Sequence, residues 1–147
     1  MASGRCATYL EWAPVTFTLD LMKPLLVSRV ERFSPGDDSA EVTLRSELGE
    51  LVAFSYPCSV ETGAYVPNRL HVLDGDIKAA YLSDWPEDLR FERSAERIER
   101  TGPFSYRGVG RVIDQSEGLV HVLGFVLDFG DVPCDGPVEF ECLRVDL

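Results

Sequence analysis

Residues Leu119–Phe129 constrain this chain more than any other stretch. Leu119, His121, Leu123, Phe125, Leu127 and Phe129 take one phase of an extended strand, and Val120, Val122 and Val126 take the other. A strand that is apolar in both phases has to be covered on both faces, so it belongs inside a closed or covered β-structure. It is flanked by two more strand patterns, Tyr106–Asp114 and Val138–Leu147. Gly118 closes the first connection, and Gly130, Pro133 and Gly136 fill the second. Gly124, at the centre of the long strand, predicts a bulge or a sharp bend. In the last strand Val138 and Phe140 occupy one phase while Leu143, Val145 and Leu147 occupy the other, so a second bulge is expected near Glu141–Cys142.

The earlier part of the chain repeats this grammar. Val15, Phe17, Leu19 and Leu21 alternate with polar residues, as does Ala40–Leu44. Leu25–Phe33 fits a strand or a helix; its surroundings favour a strand. Ser34–Asp38 is a turn by composition, and Glu47-Leu48-Gly49 turns Ala40–Arg45 back into Leu51–Tyr56 as a hairpin. Asp74-Gly75, between Arg69–Leu73 and Ile77–Leu82, has the chemistry of a type I′ hairpin turn. One short surface helix is expected near 86–100: Ser83 or Asp84 can cap it, Pro86 fits its first turn, and Phe91, Ala95 and Ile98 share a face. Glu96 and Arg100 are spaced to pair along it, and Gly102-Pro103 ends it. A short strand at Leu89–Glu92 is the rival reading.

Several strands with turn signals between them give a mainly β fold, a small closed or partly closed antiparallel barrel or sandwich. The Gly-rich entry at Gly108 and Gly110, the long kinked strand, the turn and the closing Val-Glu-Phe-Glu strand resemble an oligonucleotide/oligosaccharide-binding (OB) barrel over roughly residues 104–147. That resemblance implies a fold and not a function. A single domain over 1–147 is expected. The alternative is two pseudo-repeated units, about 1–82 and 104–147, because Leu51-Val52-Ala53-Phe54 with Pro57-Cys58 is echoed by Val126-Leu127-Asp128-Phe129 with Pro133-Cys134.

Charge narrows the partners. The net charge is −11, and it is uneven: residues 1–73 carry nine acids and six bases, residues 74–147 sixteen acids and eight bases. Such a surface repels phosphate backbones and attracts basic partners. No apolar run approaches the roughly 20 residues that span a bilayer, and Met1–Arg5 leads into no apolar signal core, so a cytoplasmic, bacterial-type protein is expected. The four cysteines, Cys6, Cys58, Cys134 and Cys142, show no metal-ligand spacing and read as reduced thiols.

No motif carries catalysis. His121 sits among apolar residues, and strand phase places Asp128 on the opposite face from it. Gly108-Val109-Gly110 lacks a third glycine and leads into a strand, so it is no phosphate loop. No catalytic residue, metal site or cofactor is expected. Three aromatics beside turns, Tyr65, Trp85 and Tyr106, and four loop acids, Asp74, Asp76, Asp131 and Asp135, are the residues expected at a partner surface. The reading is a non-catalytic acidic protein that docks on a basic protein partner, with no nucleic acid and no membrane. An inhibitor or immunity-type protein against a basic toxin is its concrete form. A barrel binding a small molecule or carbohydrate, or a hydrolase using carboxylates, is the alternative.

Overall fold

The computed structural model describes residues 23–81 and 84–147; the pattern at Val15–Leu21, Cys6 and the capping Ser83 lie outside them. The described residues form a mainly β structure with one short helix, α1 (Glu87–Arg93). The strands are β1 (Leu25–Arg32), β2 (Ala40–Arg45), β3 (Glu50–Ser55), β4 (Tyr65–Val66), β5 (Leu70–Leu73), β6 (Asp76–Ala79), β7 (Arg97–Arg100), β8 (Tyr106–Asp114), β9 (Leu119–Val122), β10 (Phe125–Asp128), β11 (Gly136–Cys142) and β12 (Arg144–Asp146). They join one sheet in the order β4-β1-β2-β3-β12-β5-β10-β9-β8-β11-β6, with β7 beside β8. The order does not return on itself, so the sheet is not closed. It is also mixed: β3–β12 and β5–β10 are parallel, whereas the expectation was antiparallel throughout.

Alternation builds the core. Leu25 and Val27 from β1, Ala40, Val42 and Leu44 from β2, and Leu51 and Ala53 from β3 are all buried at every second position. Leu70, Val122, Phe125, Leu127 and Val145 complete the same cluster from the later strands. Burying each such side chain contributes on the order of 1.5–3 kcal/mol, before the entropy of ordering the chain is set against it.

The long apolar strand is a hairpin. Leu123 (φ 46°) and Gly124 (φ 87°) both take left-handed conformations and form a two-residue turn, with Phe125 opposite Val122 and Val126 opposite His121. Two positive φ values in a two-residue loop are the type I′ requirement. The turn inverts the phase: Phe125 and Leu127 join Val122 in the core, while Val126 and Asp128 move to the face of His121 and Leu119. Asp128 therefore shares the face of His121, contrary to the strand-phase expectation.

Three other expectations change. Asp74 has the positive φ (53°) of a turn, but β5 and β6 do not pair; β5 lies between β10 and β12, and β6 lies on β11. The helix stops at Arg93, because Glu96 reaches across to the Leu123 amide (2.7 Å) and Arg97–Arg100 pairs with β8. Phe91, expected on the narrow apolar stripe of a surface helix, is 80% exposed. The phase switch in the last strand is a change of partners: β11 lies between β8 and β6, Leu143 is exposed, and β12 enters between β3 and β5.

β8 shows why glycine is needed at residue 108. Its first half carries β7 on one side and its second half carries β9 on that same side, while β11 runs along the other. A Cβ on Gly108 would fall on the Arg97 carbonyl oxygen, so β7 docks only against a bare backbone there.

Candidate functional site

The four expected loop acids lie in two loops: Asp76 sits opposite Glu141 at one end of β11, and Asp135 directly precedes Gly136 at the other end. Asp74 and Asp76 flank Gly75, whose missing Cβ leaves room for the Phe129 ring; a Cβ there would meet its Cδ1 at 2.6 Å. Asp131 and Asp135 flank Val132 and Cys134 in the loop from β10 to β11. Val132 packs with Val120 and Val138, against which Ile77, Phe129 and Cys134 also lie. Both acid pairs thus border one small apolar cluster. Asp74, Asp76, Asp131 and Asp135 are all exposed, and among the described residues none of them forms an ion pair. Among the described residues no group of three or more His, Cys, Asp or Glu is placed to hold a metal ion.

Beside Asp76 a groove of about 740 Å³ runs over β6, β11, β8 and β7. Asp76, Lys78, Glu139, Glu141, Glu99 and Arg107 line it. Arg107 donates to Glu99 (2.7 Å), and that bond holds the Glu99 carboxyl below its usual range and the guanidinium above its own. A general acid needs the opposite displacement. A second groove, about 430 Å³, opens beside the Leu123–Gly124 turn between Leu26, Arg45, Leu48, Tyr65 and His121. Here Lys23 pairs with Glu47 (3.2 Å) and Arg45 with Glu50 (2.7 Å), so the cations on its rim are engaged.

The expected aromatics separate. Tyr65 is 69% exposed on the rim of the second groove. Trp85 is half-buried ahead of α1, with the Arg93 guanidinium 5.8 Å from its ring. Tyr106 is 4% exposed and does not face a partner. Its hydroxyl accepts from the Val52 amide (2.7 Å) and donates to the Val52 carbonyl (3.1 Å), pinning β8 across to β3. Sequence reasoning missed a cluster with the composition of a contact surface. Phe33, Phe54 and Phe104 lie with ring centroids 5.6–6.1 Å apart, and Arg144, held by Asp146 at 2.7 and 3.0 Å, sits 4.5 Å above the Phe54 ring. Phe33 is exposed, Phe54 and Phe104 are half-buried, and aromatics with an ordered arginine are the residue types that anchor interfaces. Long-range pairing assembles them, and no local pattern announces it.

His121 and the thiols are poorly placed for catalysis. Burial lowers the His121 pKa, Glu96 raises it less, and Nδ1 lies 3.8 Å from the Glu96 carboxylate. Cys58, Cys134 and Cys142 are unpaired, and Cys134 packs with the Val132 cluster. Asp128 instead receives Arg69 (2.9 Å) and the Gly130 amide (2.9 Å), a structural use of its charge.

The buried thiol has a measurable consequence. Burial pushes Cys142 from 9.0 up to about 11 and moves the Tyr106 hydroxyl in the same direction. Both groups hold their protons more tightly in the folded chain. The stability they add is complete below the unfolded thiol value and lost as pH rises through the folded one. Urea unfolding at a series of pH values is expected to show about 3 kcal/mol of loss between pH 9 and 11. Cys142→Ala is expected to flatten that slope; an unchanged slope counts against the assignment.

No protein-family model matches the chain, and neither a curated protein nor a solved structure is similar to it.

Proposed function

We infer that this chain is a non-catalytic acidic binding protein that docks on a basic protein partner. The observation that supports the reading is that Asp74, Asp76, Asp131 and Asp135 are exposed and without ion pairs among the described residues, in two loops that both border one apolar cluster. Unneutralised acids around an apolar centre steer a basic surface inward and then offer it something to bury. The net charge of −11 extends that attraction beyond contact. An inhibitor or immunity-type protein against a basic toxin is the concrete form of the proposal, since charge complementarity accelerates such association. The small-molecule, carbohydrate or hydrolase alternative draws on the two grooves, of which the one of about 740 Å³ is the roomier. Its walls are charged, and Glu99 within it is displaced away from general-acid chemistry.

The test is association with a basic protein captured from the source lysate and then purified. The quadruple variant Asp74→Asn, Asp76→Asn, Asp131→Asn, Asp135→Asn is expected to slow association about 10-fold or more at low salt, and little at high salt. A lysate that yields no partner at low salt sinks the proposal, and so does a partner whose on-rate ignores these substitutions.

A further inference from the structure

β6 ends the sheet order and, among the described residues, pairs with β11 alone. The ladder sets Asp76 opposite Glu141, Ile77 opposite Phe140, Lys78 opposite Glu139 and Ala79 opposite Val138. The Ala80 amide donates to the Pro137 carbonyl (3.1 Å), continuing that register. Backbone groups in an antiparallel ladder alternate in direction. Asp76 and Lys78, in step with Ala80, therefore turn theirs toward β11, and Ile77 and Ala79 turn their N–H and C=O outward. Those outward groups are the ones that an added strand uses.

The side chains beside this edge specify the strand that fits. Asp76, Lys78, Glu139 and Glu141 share one face, and Asp74 lies just ahead of them in the chain. Ile77 and Ala79 share the other face with buried Phe140 and Val138. An incoming strand that alternates would set one phase against four acids and a single lysine, and the other against Ile77. Basic residues suit the first phase and apolar ones the second. A second copy of this chain suits it less: Asp76 could face Lys78 across the contact, but Asp74, Glu139 and Glu141 of both copies, each of net charge −11, would crowd the same edge.

The geometry points to β6 as the site where an extended partner segment alternating basic and apolar residues adds as a further strand. The inference rests on the docking reading above and names the contact that makes it. A blocked peptide of alternating lysine and valine is a direct probe, read by amide exchange and calorimetry on the full chain. In the free protein the Ile77 and Ala79 amides are expected to exchange fast while those of Lys78 and Ala80 are protected. The peptide should protect Ile77 and Ala79, and a glutamate–valine peptide should not. Ala79→Pro removes an outward N–H and leaves the β11 ladder in place, a substitution edge strands accept. It is expected to weaken peptide binding at least about 10-fold, which is about 1.4 kcal/mol, with the melting temperature unchanged.

The exchange measurement needs no variant, so it decides the matter even where Ala79→Pro does not fold. Slow exchange of both amides in the free protein, whether from a second copy or from residues ahead of Lys23, overturns the inference. So does a scrambled peptide of the same composition that binds as tightly. If Ala79→Pro binds normally while the four-asparagine variant does not, strand addition fails and the docking reading stands. If neither the peptide nor the basic protein binds the unaltered chain at low salt, both fail.

Discussion

Divided at residues 82–83, neither half of this protein is expected to fold alone, and a mixture of the two is expected to recover the native spectrum. The reason is an exchange of strands. β5 belongs to the first half but lies between β10 and β12, both from the second. β12 belongs to the second half but lies between β3 and β5, both from the first. Without its partner half, each exchanged strand has no ladder at all. Alone, the first half keeps β4-β1-β2-β3 and the second keeps β10-β9-β8-β11 with β7 beside β8, while β6, from the first half, loses its partner β11. Each piece then ends on an open edge over half a core, since Leu70 and Val145 pack in one cluster with Leu44, Phe125 and Leu127. Pieces this short bury too small a fraction of their surface to offset the entropy of ordering. Far-UV circular dichroism and amide dispersion of each fragment, then of the mixture, make the check. Two self-contained units predict the opposite, and a cooperatively folded fragment on its own would refute the exchange argument.

That exchange also marks where sequence legibility ends. Local alternation placed β8 at Tyr106–Asp114 and the hairpin of β2 and β3, because β7 and β9 lie near β8 in the chain and the burial of β2 and β3 alternates strictly. It misread Asp74-Gly75 as a hairpin turn, because the partners of β5 are nearly sixty and more than seventy residues away and outweigh a local preference. The helix near 86–100 was half legible: the acidic first turn at Glu87 and Asp88 is a real start signal, while its end is decided by the contact of Glu96 with the Leu123 amide. Of the expected surface residues, the four aspartates and Tyr65 are exposed. Tyr106 is not, and its spacing held the clue: it shares a strand phase with Gly108 and Gly110, whose bare backbones mark a face pressed against neighbours.

The turn at Leu123–Gly124 was the least legible feature, and it carries the second large effect. Asn-Gly and Asp-Gly announce a type I′ turn because both residues tolerate positive φ. Leucine does not, and a bulky residue at φ 46° persists only where its surroundings over-determine it. Here they do. Ser46 Oγ donates to the Leu123 carbonyl (2.7 Å), and Asn68 Nδ2 donates to the Gly124 carbonyl (2.8 Å). Asn68 Oδ1 accepts from the Val126 amide (2.9 Å). Asn68 is 3% exposed and Val126 fully buried, so water cannot readily replace these bonds. Asn68→Ala is expected to cost about 3 kcal/mol, the sum of two stranded backbone groups at roughly 1–3 kcal/mol each, shown as a lower urea midpoint with the m-value unchanged. Ser46→Ala removes the bond to Leu123 and the one from the Leu48 amide at a partly exposed site, and is expected to cost about 1 kcal/mol. Asn68→Asp keeps the acceptor for Val126 but sets a carboxylate oxygen against the Gly124 carbonyl, so its loss is expected to shrink as pH falls and the carboxyl gains a proton. A loss below about 1 kcal/mol for Asn68→Ala would mean that the hairpin holds its turn without the clamp, and that Leu123 is tolerated for some reason other than these side chains.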